Sequence, residues 1–251
     1  LKVSIITVCY NSTSTIESTL QSVANQLYTN VEHVVIDGAS TDDTVELIKR
    51  YKTKLVTELD KGIYDAMNKG IKLATGDIIG TLNADDFYTD NNVLSAVMQV
   101  FSDESVEACF ADLVYVNQFD TNKIARYWKS KPYQADLFKQ GWMPAHPTFF
   151  VRKSVYEKFG VFDLNYQIAA DFELLFRFIE QNKIKTHYLP KVLVKMRLGG
   201  TTNKSLKNIR TQNNEIIRIL RAHYHNFSVF QFWRHKIINR SVQLISRPKA
   251  A

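Results

Sequence analysis

The sequence predicts an α/β fold: a mostly parallel central sheet flanked by helices, with a helical C-terminal extension. Two observations carry this. Short apolar runs rich in β-branched residues alternate with segments of helical spacing through the first eighty residues or so, which is the pattern of βαβ units. The chain of 251 residues is also 45% hydrophobic, enough to bury a proper core, and no Pro, Gly or Ser-rich linker divides it.

Val3 to Val8 reads as the first strand, and Asn11-Ser12-Thr13 supplies turn and cap residues before a helix with Ile16, Leu20 and Val23 on one side. A second strand, His33 to Ile36, runs into Asp37-Gly38-Ala39-Ser40-Thr41-Asp42-Asp43, where Ser40 or Thr41 can cap a helix over Val45 to Tyr51. Leu55 to Thr57 is a third strand. Gly62 to Leu73 is a third helix, with Ile63, Met67 and Ile71 on one side, and Ile78 to Leu82 is a fourth strand. Right-handed crossovers between such strands build a parallel sheet, whose ligands bind beyond the carboxyl ends of the strands. Thr7 to Asn11, Asp37 to Asp42, Asp60 to Asn68 and Asn83 to Asp86 therefore share one edge.

Asp85 and Asp86 close the fourth strand as neighbouring carboxylates, which repel unless compensated. A divalent cation sharing phosphate ligands relieves that repulsion, since hard oxygen donors suit Mg²⁺ or Mn²⁺. The alternative is a solvated turn opening the next helix. No glycine-rich phosphate loop is present, so phosphate charge must be met by a metal or by basic side chains.

After a helix over Asn92 to Phe101 the pattern changes to strands, Ala108 to Val116 and Lys123 to Trp128. Pro144 to Phe150 is a loop feeding a further strand, Val155 to Phe159 a short helix, and Ala169-Ala170-Asp171 opens a longer one over Phe172 to Ile179. The expected organisation is one catalytic domain over 1–205, with a nucleotide half to about 100 and an acceptor half from 101, followed by an extension over 206–251.

The formal charge of +7 is local: no acid follows Glu215, whereas Arg218, Arg221, Arg234, Lys236, Arg240, Arg247 and Lys249 do. Nucleic-acid binders spread basic residues over a folded face, so no nucleic acid is expected. Phe227, Phe230, Trp233, Ile237, Val242, Leu244 and Ile245 fall near helical spacing among these cations. Such a helix either lies on an anionic membrane surface or packs on the core or on another subunit of a homo-oligomer. Two distant cysteines, Cys9 and Cys109, fit a reducing cytoplasm, and Leu1 to Val8 lacks the charged flank and cleavage site of a secretory signal.

Together these segments resemble the family-2 glycosyltransferases of GT-A fold. The matching stretches are Ser4 to Asn11, Val35 to Asp42, Asp60 to Gly70, Leu82 to Asp86 and Ala169 to Asp171, in the family's order. The resemblance implies that Thr7, Tyr10, Asn11, Asp37, Asp60, Asn68, Asn83 and Ala84 line the nucleotide pocket, with Asp37 facing the base. It gives the metal, Mg²⁺ or Mn²⁺, to Asp85 with Asp86 beside it. Asn83 stands where an acid is commonest, and suits a ribose hydroxyl. Asp171 matches the catalytic base, although Ala170 stands where an acid often precedes it; a helix cap is the other reading of Asp171. His146 lines the acceptor pocket or fixes its loop, and Arg197 reaches the diphosphate or forms a surface ion pair. The implied activity is inverting transfer from a nucleotide-sugar donor, a UDP-sugar, to a carbohydrate acceptor, with a lipid-linked oligosaccharide at the inner face of the plasma membrane in view. A sugar-1-phosphate nucleotidyltransferase would want a basic glycine-rich loop in place of Tyr10 to Thr13, and an inactive sugar-nucleotide binder would not need Asp85, Asp86 and Asp171 intact.

Overall fold

A computed structural model describes residues 1–199 and 205–245. Arg247 and Lys249 of the basic tail lie outside the described residues. β1 (Val3–Cys9), β2 (Val31–Asp37), β3 (Lys54–Thr57) and β4 (Ile78–Thr81) are joined through α1 (Ile16–Ala24), α2 (Thr44–Ile48) and α3 (Ile63–Leu73). They lie in the order β3-β2-β1-β4, all parallel. Helices cover this sheet on both faces, so β1 is buried along its whole length. Its side chains alternate between layers: Ile6 and Val8 pack with Met67 and Ile71, while Val3 and Ile5 pack with Val23 and Ile78.

Beyond β4 the sheet is mixed. β5 (Asp86–Tyr88) and α4 (Val93–Val100) precede β6 (Ala108–Val116), β7 (Ile124–Trp128) and β8 (Phe150–Arg152). α5 (Lys153–Phe159) and α6 (Ala170–Leu175) lead to the long β9 (Thr186–Arg197). β8 runs antiparallel to both β4 and β6, β9 is parallel to β6, and β5 and β7 pair antiparallel at β9 and β6. The described strands thus form one sheet whose parallel half carries the strand-end loops. Its second half forms a wall beside them. The helix expected over Phe172 to Ile179 is divided, α6 passing into a π-helical turn over Phe176–Gln181.

The C-terminal extension is two helices, α7 (Leu206–His223) and α8 (Val229–Ile245). α7 buries Ile216, Ile219 and Leu220 in the core shared with α6. α8 seats Phe232, 1% exposed, over Gly141, a left-handed residue (φ 71°) at which a Cβ would stand 3.1 Å from the Phe232 ring. Away from this contact Phe230, Ile238 and Val242 are exposed. No helix among the described residues is long and apolar enough to cross a membrane.

Candidate active site

The ends of β1 and β2 are tied to each other before any ligand arrives. Asn11 takes a left-handed backbone (φ 47°); its N–H donates to Ser40 Oγ at 2.8 Å, and its Oδ1 accepts from the Thr41 N–H at 2.9 Å. Asp37, fully buried, accepts from the Ser40 N–H and hydroxyl at 3.0 and 2.5 Å. A Cβ on Gly38 would lie 2.6 Å from Asp60 Oδ2 and would push that carboxylate aside. The absence of a side chain is what lets the Asp60 carboxylate close over this turn. Asp60 in turn accepts from the Gly62 N–H at 2.8 Å, where the chain adopts φ 113° ahead of α3.

At the end of β4 the neighbouring carboxylates part. Asp85 faces the cleft, and its backbone carbonyl accepts from Arg197 Nη1 at 2.8 Å. Asp86 begins β5 beneath it, 0% exposed, with neither carboxylate oxygen hydrogen-bonded among the described residues. Burial, and then the charge of Asp85, push its pKa well above the usual carboxylate range against the pull of Arg197. That environment favours the neutral acid. Arg197 does not line the cleft: it donates to Ser18 Oγ at 3.0 Å, stacks over Phe87 at 4.7 Å and holds the Asp85 turn. Asn83 lines the cleft with its Oδ1 buried and without a partner among the described residues.

Asp171 lies in the first turn of α6. Its Oδ1 accepts from the Phe172 N–H at 2.8 Å and lies 3.4 Å from the Tyr64 hydroxyl, and its Oδ2 lies 3.3 Å from His146 Nδ1. Burial lowers the His146 pKa, partly offset by Asp171 and Asp85, so the imidazole is neutral at neutral pH. The turn before α6 is fixed from outside. Glu215, on α7, accepts from the backbone N–H groups of Gln167, Ile168 and Ala169 at 2.8, 3.0 and 2.9 Å.

These pieces surround one cleft of about 1200 Å³. Tyr10, Asn11, Asp60, Asn83, Ala84, Asp85, His146 and Asp171 line it. Thr7 and Asp37 lie just behind: Thr7 is buried with its hydroxyl 2.9 Å from His33 Nε2. Asn68 is not brought to the cleft. Its amide donates to the Phe162 carbonyl and accepts from the Phe162 N–H, both at 2.9 Å, beside a separate hollow of about 460 Å³. Among the described residues no three His, Cys, Asp or Glu side chains gather closely enough to hold a metal ion by themselves. Of the adjacent pair, only Asp85 reaches the cleft.

Several lining residues escaped the reading of the sequence. Tyr64 belongs to the Asp60 to Gly70 stretch, and its spacing of four from Asp60 was the available signal. Arg126, Lys236 and Arg240 also line the cleft, on β7 and α8. In sequence Lys236 and Arg240 read as part of the basic tail, and no local pattern ties them or Arg126 to the cleft, because the strand and helix that carry them meet it only through the fold.

Residues 4–160 match the family model described as Glycosyl transferase family 2. A PGL/p-HBAD biosynthesis glycosyltransferase of Mycobacterium bovis is 28% identical over 207 residues, spanning 80% of this chain and 78% of the relative. Among solved structures, Staphylococcus aureus TarS 1–349 in complex with UDP-GlcNAc superposes with TM-score 0.65 at 16% identity, covering 94% of this chain and 79% of the other. A mannosyltransferase from Pyrobaculum calidifontis, in complex with GDP-Man and Mn²⁺, gives TM-score 0.67 at 17% identity over 98% and 76%. The fold of this chain is therefore that of the GT-A glycosyltransferases.

Proposed function

This chain belongs to glycosyl transferase family 2, and from that premise we propose that it is a metal-dependent inverting transferase moving one sugar from a UDP-sugar to a carbohydrate acceptor. The observation that carries the reading is that Asp85 and Asp171, from opposite halves of the sheet, line the same cleft. In this reading Tyr10, Asn11 and Asp60 receive the nucleoside, Asp37 fixes the Ser40 turn behind them, and Asn83 faces the ribose. Asp85 holds Mg²⁺ or Mn²⁺, which supplies positive charge to the departing diphosphate. Asp171 accepts the proton of the acceptor hydroxyl as that oxygen attacks C1 of the donor sugar. Attack opposite the leaving diphosphate inverts the anomeric centre. Neutral His146 and Tyr64 hold the carboxylate toward the acceptor without neutralising it.

The donor assignment takes support from neighbours that bind UDP-GlcNAc and GDP-Man. Surface-polysaccharide assembly on a lipid-linked acceptor, at the inner face of the plasma membrane, takes support from the apolar outer face of α8, which carries Arg234 and no acid. A panel of nucleotide sugars tests the activity. One UDP-sugar should raise Tm in the presence of Mn²⁺ and yield a product of inverted anomeric configuration by NMR. Retention of configuration, or no stabilisation by any nucleotide sugar, overturns the reading.

A further inference from the structure

The cleft is electrically divided. Its acids, Asp60, Asp85 and Asp171, lie on the loops of the parallel half and at α6, whereas Arg126, Lys236 and Arg240 line it from β7 and α8. Asp86, Met196, Tyr115 and Arg126 are successive partners across β5, β9, β6 and β7. At about 4.8 Å per strand, the Arg126 backbone stands about 14 Å from the metal corner. Arg126 thus enters the cleft from a strand three places removed from β5, which begins beside Asp85.

Arg126 is an unusual residue to find there. It is 8% exposed, its guanidinium lies 3.6 Å from the Tyr115 ring centre and 5.9 Å from that of Trp128, and its Nε is buried with no hydrogen-bond partner among the described residues. Lys236, half-buried, donates to the side-chain Oδ1 of Asn213 at 2.5 Å, its one hydrogen bond among the described residues. No ion pair reaches Arg126, Lys236 or Arg240 among the described residues, and the charge of Arg240 is felt by both of the others. Like charges held together, partly out of water and without a carboxylate, are costly unless an anion joins them. A guanidinium held on aromatic rings at a cleft wall suits phosphate or carboxylate oxygens.

We propose that Arg126, Lys236 and Arg240 form an acceptor subsite for an anionic saccharide, one bearing a phosphate or carboxylate group. This rests on the transferase reading for its direction: the donor occupies the Asp85 end, and the acidic group of the acceptor occupies the Arg126 end. The subsite selects acceptors by charge and sets which hydroxyl reaches Asp171.

The test is ligand-observed NMR titration of the whole chain with glucose 6-phosphate, glucuronic acid and glucose, with UDP and Mn²⁺ saturating the donor end. At least one anionic sugar should bind about tenfold tighter than glucose, and the better of the two identifies phosphate or carboxylate as the group. Arg126→Gln and, independently on the helix surface, Lys236→Gln should each erase that preference while leaving UDP affinity unchanged. Arg234→Gln, on the outer face of α8, should preserve it. Equal affinity for the three sugars, no detectable binding of any, survival of the preference in both cleft variants, or loss of UDP binding in them overturns the proposal. If instead UDP and Mn²⁺ fail to bind the unmodified chain while the preference holds, the transferase reading fails and the anion subsite stands.

Discussion

Nδ1 of His146 stands 3.3 Å from Oδ2 of Asp171, joining the turn before β8 to the first turn of α6. Because burial keeps the imidazole neutral, the pair is a positioned carboxylate beside a polar ring rather than an ion pair that would quench it. Asp171→Asn should keep UDP affinity and lower the transfer rate at least ~100-fold. His146→Ala should lower kcat about 10-fold with UDP affinity unchanged, since it acts through the carboxylate. Wild-type turnover in Asp171→Asn removes that residue as base.

The parting of Asp85 from Asp86 predicts unlike phenotypes for adjacent carboxylates. Asp85→Ala should abolish Mn²⁺-dependent UDP binding in calorimetry. Asp86→Asn replaces a buried carboxyl, whose neutral form burial favours, by a near-isostere, so UDP affinity should stay within about 3-fold and stability within about 1 kcal/mol. The opposite pattern would assign the metal to Asp86.

Glu215 ties the C-terminal extension to the turn before Asp171 through three backbone donors. Glu215→Ala leaves those N–H groups without their acceptor, a cost of about 1–3 kcal/mol by denaturant unfolding. Transfer should slow more than UDP binding weakens, because α7 braces the turn that leads into Asp171. Equal losses in both would show a general loosening of the fold.

His33 lies under Thr7, and burial depresses its pKa to about 4. The folded state therefore binds its proton less readily than the unfolded chain, whose histidines titrate near 6.5. Stability should fall as pH drops from about 6.5 to about 4, by up to about 3 kcal/mol from this group, and level off below. His33→Gln should flatten that limb of a Tm–pH curve; an unchanged limb refutes the assignment.

The outer face of α8 predicts lipid affinity. Replacing Phe230, Ile238 and Val242 together by Ser should reduce flotation with anionic liposomes severalfold and leave Tm within a few degrees, since none is buried. Undiminished flotation of the triple variant places any lipid contact elsewhere.

Much of this molecule follows from local rules. A strand such as β1, buried on both faces, reads as an unbroken apolar run, and helices such as α3 declare themselves by spacing. The carboxyl-end rule then brings Asn11, Asp60 and Asp85 to one edge without coordinates, because parallel crossovers leave little topological freedom. What needed the fold is whatever depends on contacts between distant segments. Asp85 and Asp86 are adjacent in sequence and equal in chemistry; only the turn into β5 decides that one meets the cleft and the other is buried. Asn68 lies on α3 within a matching stretch, yet the packing of Phe162 takes its amide. Arg126 on β7 and Lys236 on α8 carry no local signal, since a basic residue alternating on a strand or a helix looks the same whether it faces solvent or a ligand. The sequence by itself therefore determined the sheet, its order of strand ends and the acids along them. Tertiary structure alone decided how those carboxylates divide between cleft and interior, and that a basic wall faces them, because burial and charge pairing are properties of neighbours brought together by folding.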